Sequence, residues 1–312
     1  MGRVSSSQLS TNLSFLRDHA AFTSHGIEER AFFMDSSDGN CFALLCAPSR
    51  PKALGFVICH SYGLEFLTLR RLERAIARAL AALGHPVLSF HARGYGDSSG
   101  SLEDVTLESH LADLNAGMSW LRKETGISQI GLVGGGFGGL IAALRAKDGG
   151  VRRLVLVNPA LRGATYLRQF LRQRLMVQLS SDNGTGETTQ ELLDRMRIDG
   201  YVDVLGHPLY LNFFEEVSKV NLVSDTSQAS GDGLLVHVSK SLAIPSDLAA
   251  FSTLMRGLGG TCRVETVKEP PGTFFGGPAF VTGSDSRARV NLQEPMERGI
   301  SDRITGWVSH EL

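Results

Sequence analysis

The segment Gly131-Leu132-Val133-Gly134-Gly135-Gly136-Phe137-Gly138-Gly139-Leu140 reads as a strand turning abruptly into a helix. Gly134, Gly136 and Gly139 fit the G-x-G-x-x-G spacing, with which a strand-to-helix turn holds a pyrophosphate on free backbone N–H groups. That chemistry needs an acid at the end of the next strand to hold a ribose. The next strand, Arg153–Val157, ends in Asn158-Pro159 and supplies none. Neither a flavin nor a nicotinamide is expected, and no other cofactor is signalled. Two more turns carry groups able to do chemistry. Val57-Ile58-Cys59-His60-Ser61-Tyr62-Gly63 is a strand ending in H-x-x-G, and Phe90-His91-Ala92-Arg93-Gly94-Tyr95-Gly96-Asp97-Ser98-Ser99-Gly100 follows another strand. His60 and His91 carry imidazoles, which titrate near neutrality and suit general acid or base work. Tyr62 offers a hydroxyl at a pocket wall. Cys59, at a strand terminus, reads as packed sulfur, while Glu65 and Asp97 read as a helix-start acid and a loop hydrogen-bonder. The four cysteines form no C-x-x-C pair, so no metal site is expected.

The elements that must position these turns alternate between strand and helix. Glu28–Met34 and Cys41–Ala47, joined by the turn-rich Asp35–Asn40, read as a hairpin. Strands at Leu54–Cys59, Pro86–Phe90, Ile130–Val133, Arg153–Val157, Leu234–Val238 and Arg263–Lys268 are interleaved with helices at Leu67–Leu83, Leu102–Glu124, 137–147 and 247–258. A last helix ends near Val308. Such a rhythm implies an α/β fold with a mostly parallel central sheet and flanking helices. It breaks between Leu161 and Ser230, where Ala164–Gln178 and Thr188–Arg197 are helix-like around the polar loop Ser180–Glu187. Residues 161–230 are therefore expected to be an inserted helical cap on a core made of 27–160 and 231–312. Residues 1–26 form an amphipathic lead-in helix with Leu13, Phe15, Leu16 and Phe22 apolar, expected to pack on the sheet edge.

In order and spacing these pieces resemble the α/β-hydrolase superfamily. The nearest branch is the serine-aminopeptidase-like one, which includes exosortase-associated hydrolases. H-x-x-G is similar to the family's oxyanion loop, the Arg93-Gly94-x-Gly96 phrase to the segment after the next strand, and the glycine-rich turn to the nucleophile elbow G-x-S-x-G-G. Asn158-Pro159-Ala160-Leu161-Arg162-Gly163 and Gly206-His207-Pro208-Leu209 add to the likeness. The resemblance implies a Ser-His-Asp triad, and each of its slots is filled by something else here. The nucleophile falls on Gly136. The acid falls on Ser241 in His237-Val238-Ser239-Lys240-Ser241-Leu242-Ala243-Ile244-Pro245, with Asp247 beyond it at an expected helix N-cap. The histidine slot falls on Thr273 and Phe274, and no histidine lies between Val238 and Ser309. What the resemblance leaves is an oxyanion site formed by the backbone of Ser61, Tyr62 and Phe137 over Gly136.

The expected function follows from a site without its triad. It is binding of a small carbonyl-bearing metabolite beneath the cap, with a non-hydrolytic step such as cyclisation, elimination or isomerisation. Oxyanion stabilisation and His60, His91 or Tyr62 would promote it. A non-catalytic scaffold and an ester or thioester hydrolase with relocated residues stay open as alternatives. Lys+Arg 31 against Asp+Glu 32 gives a formal charge of −1, which speaks against a nucleic-acid partner. No apolar run approaches the roughly 20 residues of a membrane span. The Met-Gly start with Ser6 fits the short myristoylation pattern, but a cytoplasmic protein with no membrane association is expected, and a homodimer is left open.

Overall fold

Ala21–Phe22 (β1) pairs antiparallel with Ile27–Ser36 (β2), which turns through residues 37–38 into Gly39–Pro48 (β3). The hairpin runs in unbroken register from Ile27 opposite Pro48 to Ser36 opposite Gly39. It continues into Leu54–Ile58 (β4), Val87–Phe90 (β5), Gln129–Gly135 (β6) and Arg153–Val157 (β7). Between β7 and the last two core strands stands a two-stranded hairpin, Tyr201–Val204 (β8) and His207–Tyr210 (β9). Asp232–Ser239 (β10) and Cys262–Lys268 (β11) complete the main sheet, whose order is β1-β2-β3-β5-β4-β6-β7-β10-β11. From β5 to β11 every pairing is parallel. The structure is a computed structural model, and it describes residues 21–22, 26–179, 187–224, 231–257, 260–270 and 286–310.

Strands β4 and β7 are buried at all five positions, as central parallel strands covered on both faces must be. Their side chains alternate between two cores. Val57 faces one built on Leu107–Thr125 (helix α3), Gly136–Ala146 (α4) and the inserted segment. Phe56 and Ile58 face the other, built on Arg70–Ala82 (α2) and Ser286–His310 (α9). The helix expected over Leu67–Leu83 is two helices, Leu64–Thr68 (α1) and α2, which meet at Leu69. The helix expected over Leu102–Glu124 is a short 3₁₀ turn, Leu102–Asp104, followed by α3. Thr106 sets that boundary by accepting the Ser109 N–H, while the Ser109 hydroxyl takes the Thr106 N–H.

Between β7 and β10 lie Gly163–Leu179 (α5), Thr189–Asp199 (α6), the β8–β9 hairpin and Leu211–Ser218 (α7). The β8–β9 hairpin is not among the elements that the sequence predicts there. Ser246–Gly257 (α8) joins β10 to β11. The lead-in of residues 1–26 lies almost wholly outside the described residues. Its described pair, Ala21–Phe22, is strand rather than helix. Among the described residues no helix is long and apolar enough to cross a membrane.

Candidate active site

Strand β6 passes into α4 at Gly136, whose φ of +49° is a left-handed conformation that few side chains tolerate. The space a side chain would fill there is taken. A Cβ on Gly136 would lie 2.2 Å from Glu65 Oε1 and 2.3 Å from Oε2. Glu65 belongs to the first turn of α1, directly after the 60–63 turn that follows β4. Because β4 and β6 are hydrogen-bonded neighbours, that turn lies beside the elbow and the carboxyl reaches across to it.

Two donors hold the carboxyl. The Phe137 N–H donates to Oε2 at 2.9 Å and the Tyr166 hydroxyl to the same oxygen at 3.0 Å. Phe137 N–H is the donor expected to serve an oxyanion, and here a carboxyl of the same chain occupies it. Burial pushes Glu65 up to about 8, with both hydrogen bonds pulling it down and the nearby Glu73 carboxyl adding to the rise. At neutral pH the group is therefore a carboxylic acid. Both donors sit on Oε2, so the proton resides on Oε1.

Glu65 opens on a cavity of about 610 Å³. Tyr166, Gln169 and Arg172 from α5 form one wall, and Asn158, His237 and Asp247 form another. Asn158 sits at φ +42° at the end of β7, where its Nδ2 donates to Val238 O and its Oδ1 accepts the Val238 N–H. These two backbone bonds fix the amide, so Oδ1 is an acceptor for His237 Nδ1 at 3.2 Å. His237 is thus the Nδ1–H tautomer, and burial holds its pKa below the usual histidine range. Arg162 clamps Asp247 with two bonds of 2.6 and 2.8 Å. Asp247, expected as an N-cap, lies inside the first turn of α8 and serves this ion pair instead.

The structure does not bring the other expected residues to this cavity. His60 and His91 line a separate cavity of about 360 Å³ beside α2, together with Arg70, Arg74 and Glu73. Burial is the main cause that pushes His60 well down and His91 to about 4, so both are neutral at pH 7. The Ser61 hydroxyl donates to Glu73 Oε1 at 2.8 Å. Tyr62, expected as a pocket wall, is 3% exposed and lines neither cavity. Its ring stacks on Phe213 of α7 with centroids 4.3 Å apart and an interplanar angle of 11°. The inserted segment packs onto the turn there and closes over the tyrosine. Cys59 is fully buried and its thiol is pushed up by desolvation. Asp97 is exposed, as is Ser241 in the turn after β10. Thr273 and Phe274 lie outside the described residues.

Glu65 is the site residue that the sequence reading set aside. One signal could have found it. A glycine at an elbow otherwise built for a side chain leaves a hole that a close-packed interior must fill, and the nearest polar residue after the H-x-x-G turn is Glu65. The glycines around it answer a packing need rather than a phosphate. A Cβ on Gly138 would come within 2.4 Å of Cys59 O.

Comparison with known proteins places this geometry on a familiar scaffold. Residues 56–197 match the family described as alpha/beta hydrolase fold. Est1E from Butyrivibrio proteoclasticus with ferulic acid bound superposes with a TM-score of 0.61 at 18% identity, covering 89% of this chain and all of that one. The chain has the α/β-hydrolase fold. An esterase from Pyrococcus furiosus aligns with a TM-score of 0.58 at 15% identity, over 92% of this chain and 94% of the other. The mouse alpha/beta hydrolase domain-containing protein 10 aligns at 0.56 and 14%, over 89% and 98%. No curated protein matches the chain by sequence. On the hydrolase fold, Gly136 stands at the β6–α4 elbow and the cavity lies at the carboxyl ends of β6, β7 and β10, where open α/β sheets bind ligands.

Proposed function

We propose that this chain is an α/β-hydrolase-fold protein without a Ser-His-Asp triad, and that it binds a small carbonyl-bearing metabolite in the 610 Å³ cavity. Glu65 serves there as the general acid of a non-hydrolytic step such as isomerisation, elimination or cyclisation. The observation that carries the reading is the position of Glu65. Its carboxyl fills the space above Gly136 and takes the Phe137 N–H, so an acyl substrate finds no nucleophile at Gly136 and one of the expected oxyanion donors already engaged. Among the described residues Oε1 of the same carboxyl has no hydrogen-bond partner, and Glu65 lines the cavity. A carboxylic acid with a pKa near the working pH is suited to give a proton to a carbonyl oxygen and recover it when the product forms. This reading departs from the sequence reading in its acid. His60 and His91 line the other cavity, and Glu65 takes their place.

The test uses carbonyl compounds in D2O, followed by proton NMR, beside a panel of aryl esters and acyl thioesters. Exchange of hydrogens next to a carbonyl that is lost in Glu65→Gln, with no ester turnover, is the expected result. Ester turnover lost in the same variant supports a hydrolase with relocated residues. Silence in both assays leaves a binding protein.

A further inference from the structure

We infer that the ligand of the Glu65 cavity is a small organic monoanion, a carboxylate whose charged end is met by Arg172 and whose carbonyl lies at Glu65. The inference rests on the proposed site and names its substrate class.

The geometry comes from one helix. Tyr166, Gln169, Arg172, Gln173 and Met176 recur every three or four residues along α5 and line the cavity as a continuous stripe. Tyr166 touches the Glu65 carboxyl at 3.0 Å, which fixes the reacting end of the stripe. Arg172 is six residues further on, about 9 Å along the axis at 1.5 Å per residue. A carbonyl compound held at Glu65 and extended along α5 therefore presents its far end to the guanidinium. Phe170, Leu161 and Leu248 are buried and supply the apolar surface between.

Charge decides what that far end is. Among the described lining residues the charged side chains besides Glu65 are Arg162, Asp247 and Arg172. Arg162 and Asp247 neutralise each other in a two-bond pair. Arg172, exposed at the cavity's edge, has no ion-pair or hydrogen-bond partner among the described residues. With Glu65 a neutral acid and His237 a neutral imidazole, the cavity holds one uncompensated positive charge.

The test is isothermal titration of the full chain with 7-oxooctanoate and with its uncharged amide, repeated in Arg172→Gln, Arg168→Gln and Glu65→Gln. Arg168 is exposed on the same helix and does not line the cavity, so its variant controls for net charge. The carboxylate is expected to bind at least about tenfold more tightly than the amide, and this preference to vanish in Arg172→Gln and persist in Arg168→Gln. Glu65→Gln mimics the neutral acid and should keep the preference. A preference that emerges only in Glu65→Gln upholds the Arg172 contact but shows Glu65 to be ionised, which overturns the proposed acid and not the anion site. Equal binding of acid and amide, loss of the preference in Arg168→Gln as well, or no binding of either compound by any variant overturns the inference.

Discussion

The Glu65 carboxyl stands where a side chain on Gly136 would have to stand, with its Oε1 2.2 Å from the position of a Cβ there. Nucleophile slot and acid thus exclude one another. Restoring serine should not restore a hydrolase. Gly136→Ser places a side chain at φ +49° against Glu65, and the strain and clash together should cost about 1–3 kcal/mol. Gly136→Ser combined with Glu65→Ala relieves the clash and should recover part of that loss. Urea unfolding of the two single variants and the double one measures the coupling. Additive losses would show that the two residues do not compete for the space.

Glu65 also makes stability depend on pH in a definite direction. Its folded pKa of about 8 exceeds the ordinary value of 4.5, so between those values the native state keeps a proton that the unfolded chain releases. Stability therefore falls as pH rises through that window and levels off above about 8. Glu73, pushed up to about 7 by burial, has the same sign but is spent at lower pH. Between about pH 7 and 8 the loss due to Glu65 should be about 1 kcal/mol, close to the 1.4 kcal/mol per pH unit that one proton allows. Glu65→Gln should remove most of this slope. Parallel slopes in wild type and variant would mean that Glu65 ionises normally.

Tyr166→Phe removes one of the two donors to Glu65 Oε2 and nothing else near the elbow. The Tyr166 hydrogen bond holds the Glu65 pKa down, so its loss should raise the value further. The expected cost is about 0.5–1.5 kcal/mol, the net value of one hydrogen bond. Carbon-13 NMR of the Glu65 carboxyl through a pH titration reads the shift. An unmoved midpoint would show that the tyrosine does not touch the acid in solution.

The strand and helix rhythm was legible because each element is marked by local residues. The 37–38 turn, the β-branched run of β7 and the Gly-rich elbow all announce themselves. The rhythm breaks between β7 and β10, and the hairpin that lies there could not be read. Val202 and Val204 alternate with polar residues over only four positions, too short a run to separate from loop. The site was less legible for a different reason. An acid in the first turn of a helix is ordinary by itself, and Glu65 acquires its role only by meeting Phe137, 72 residues away. His60 and His91 looked like site residues because they occupy the right turns. The sequence does not say toward which cavity a turn aims its side chain.

Those buried imidazoles carry the opposite pH dependence. His110 of α3 is 2% exposed, its ring 5.1 Å from Phe137 and 6.0 Å from Phe213, and its Nε2 has no partner. The ring lies 5.9 Å from His60, which lies 6.3 Å from His91, so protonating one disfavours the others. Burial lowers His110 and His91 to about 4, below the ordinary 6.5. Between those values the unfolded chain binds protons that the native state does not, so stability falls as pH drops from about 6.5 to 4. His110→Phe replaces a ring with unpaired nitrogen by an apolar one of similar size among aromatic neighbours. At pH 7 the change should be small, within about 1 kcal/mol. At pH 5 the variant should be the more stable protein by about 1–2 kcal/mol, since it escapes one unfavourable protonation. Urea unfolding at both values decides the matter. If His110→Phe lost stability by the same amount as wild type between pH 7 and pH 5, acid sensitivity would lie outside this cluster.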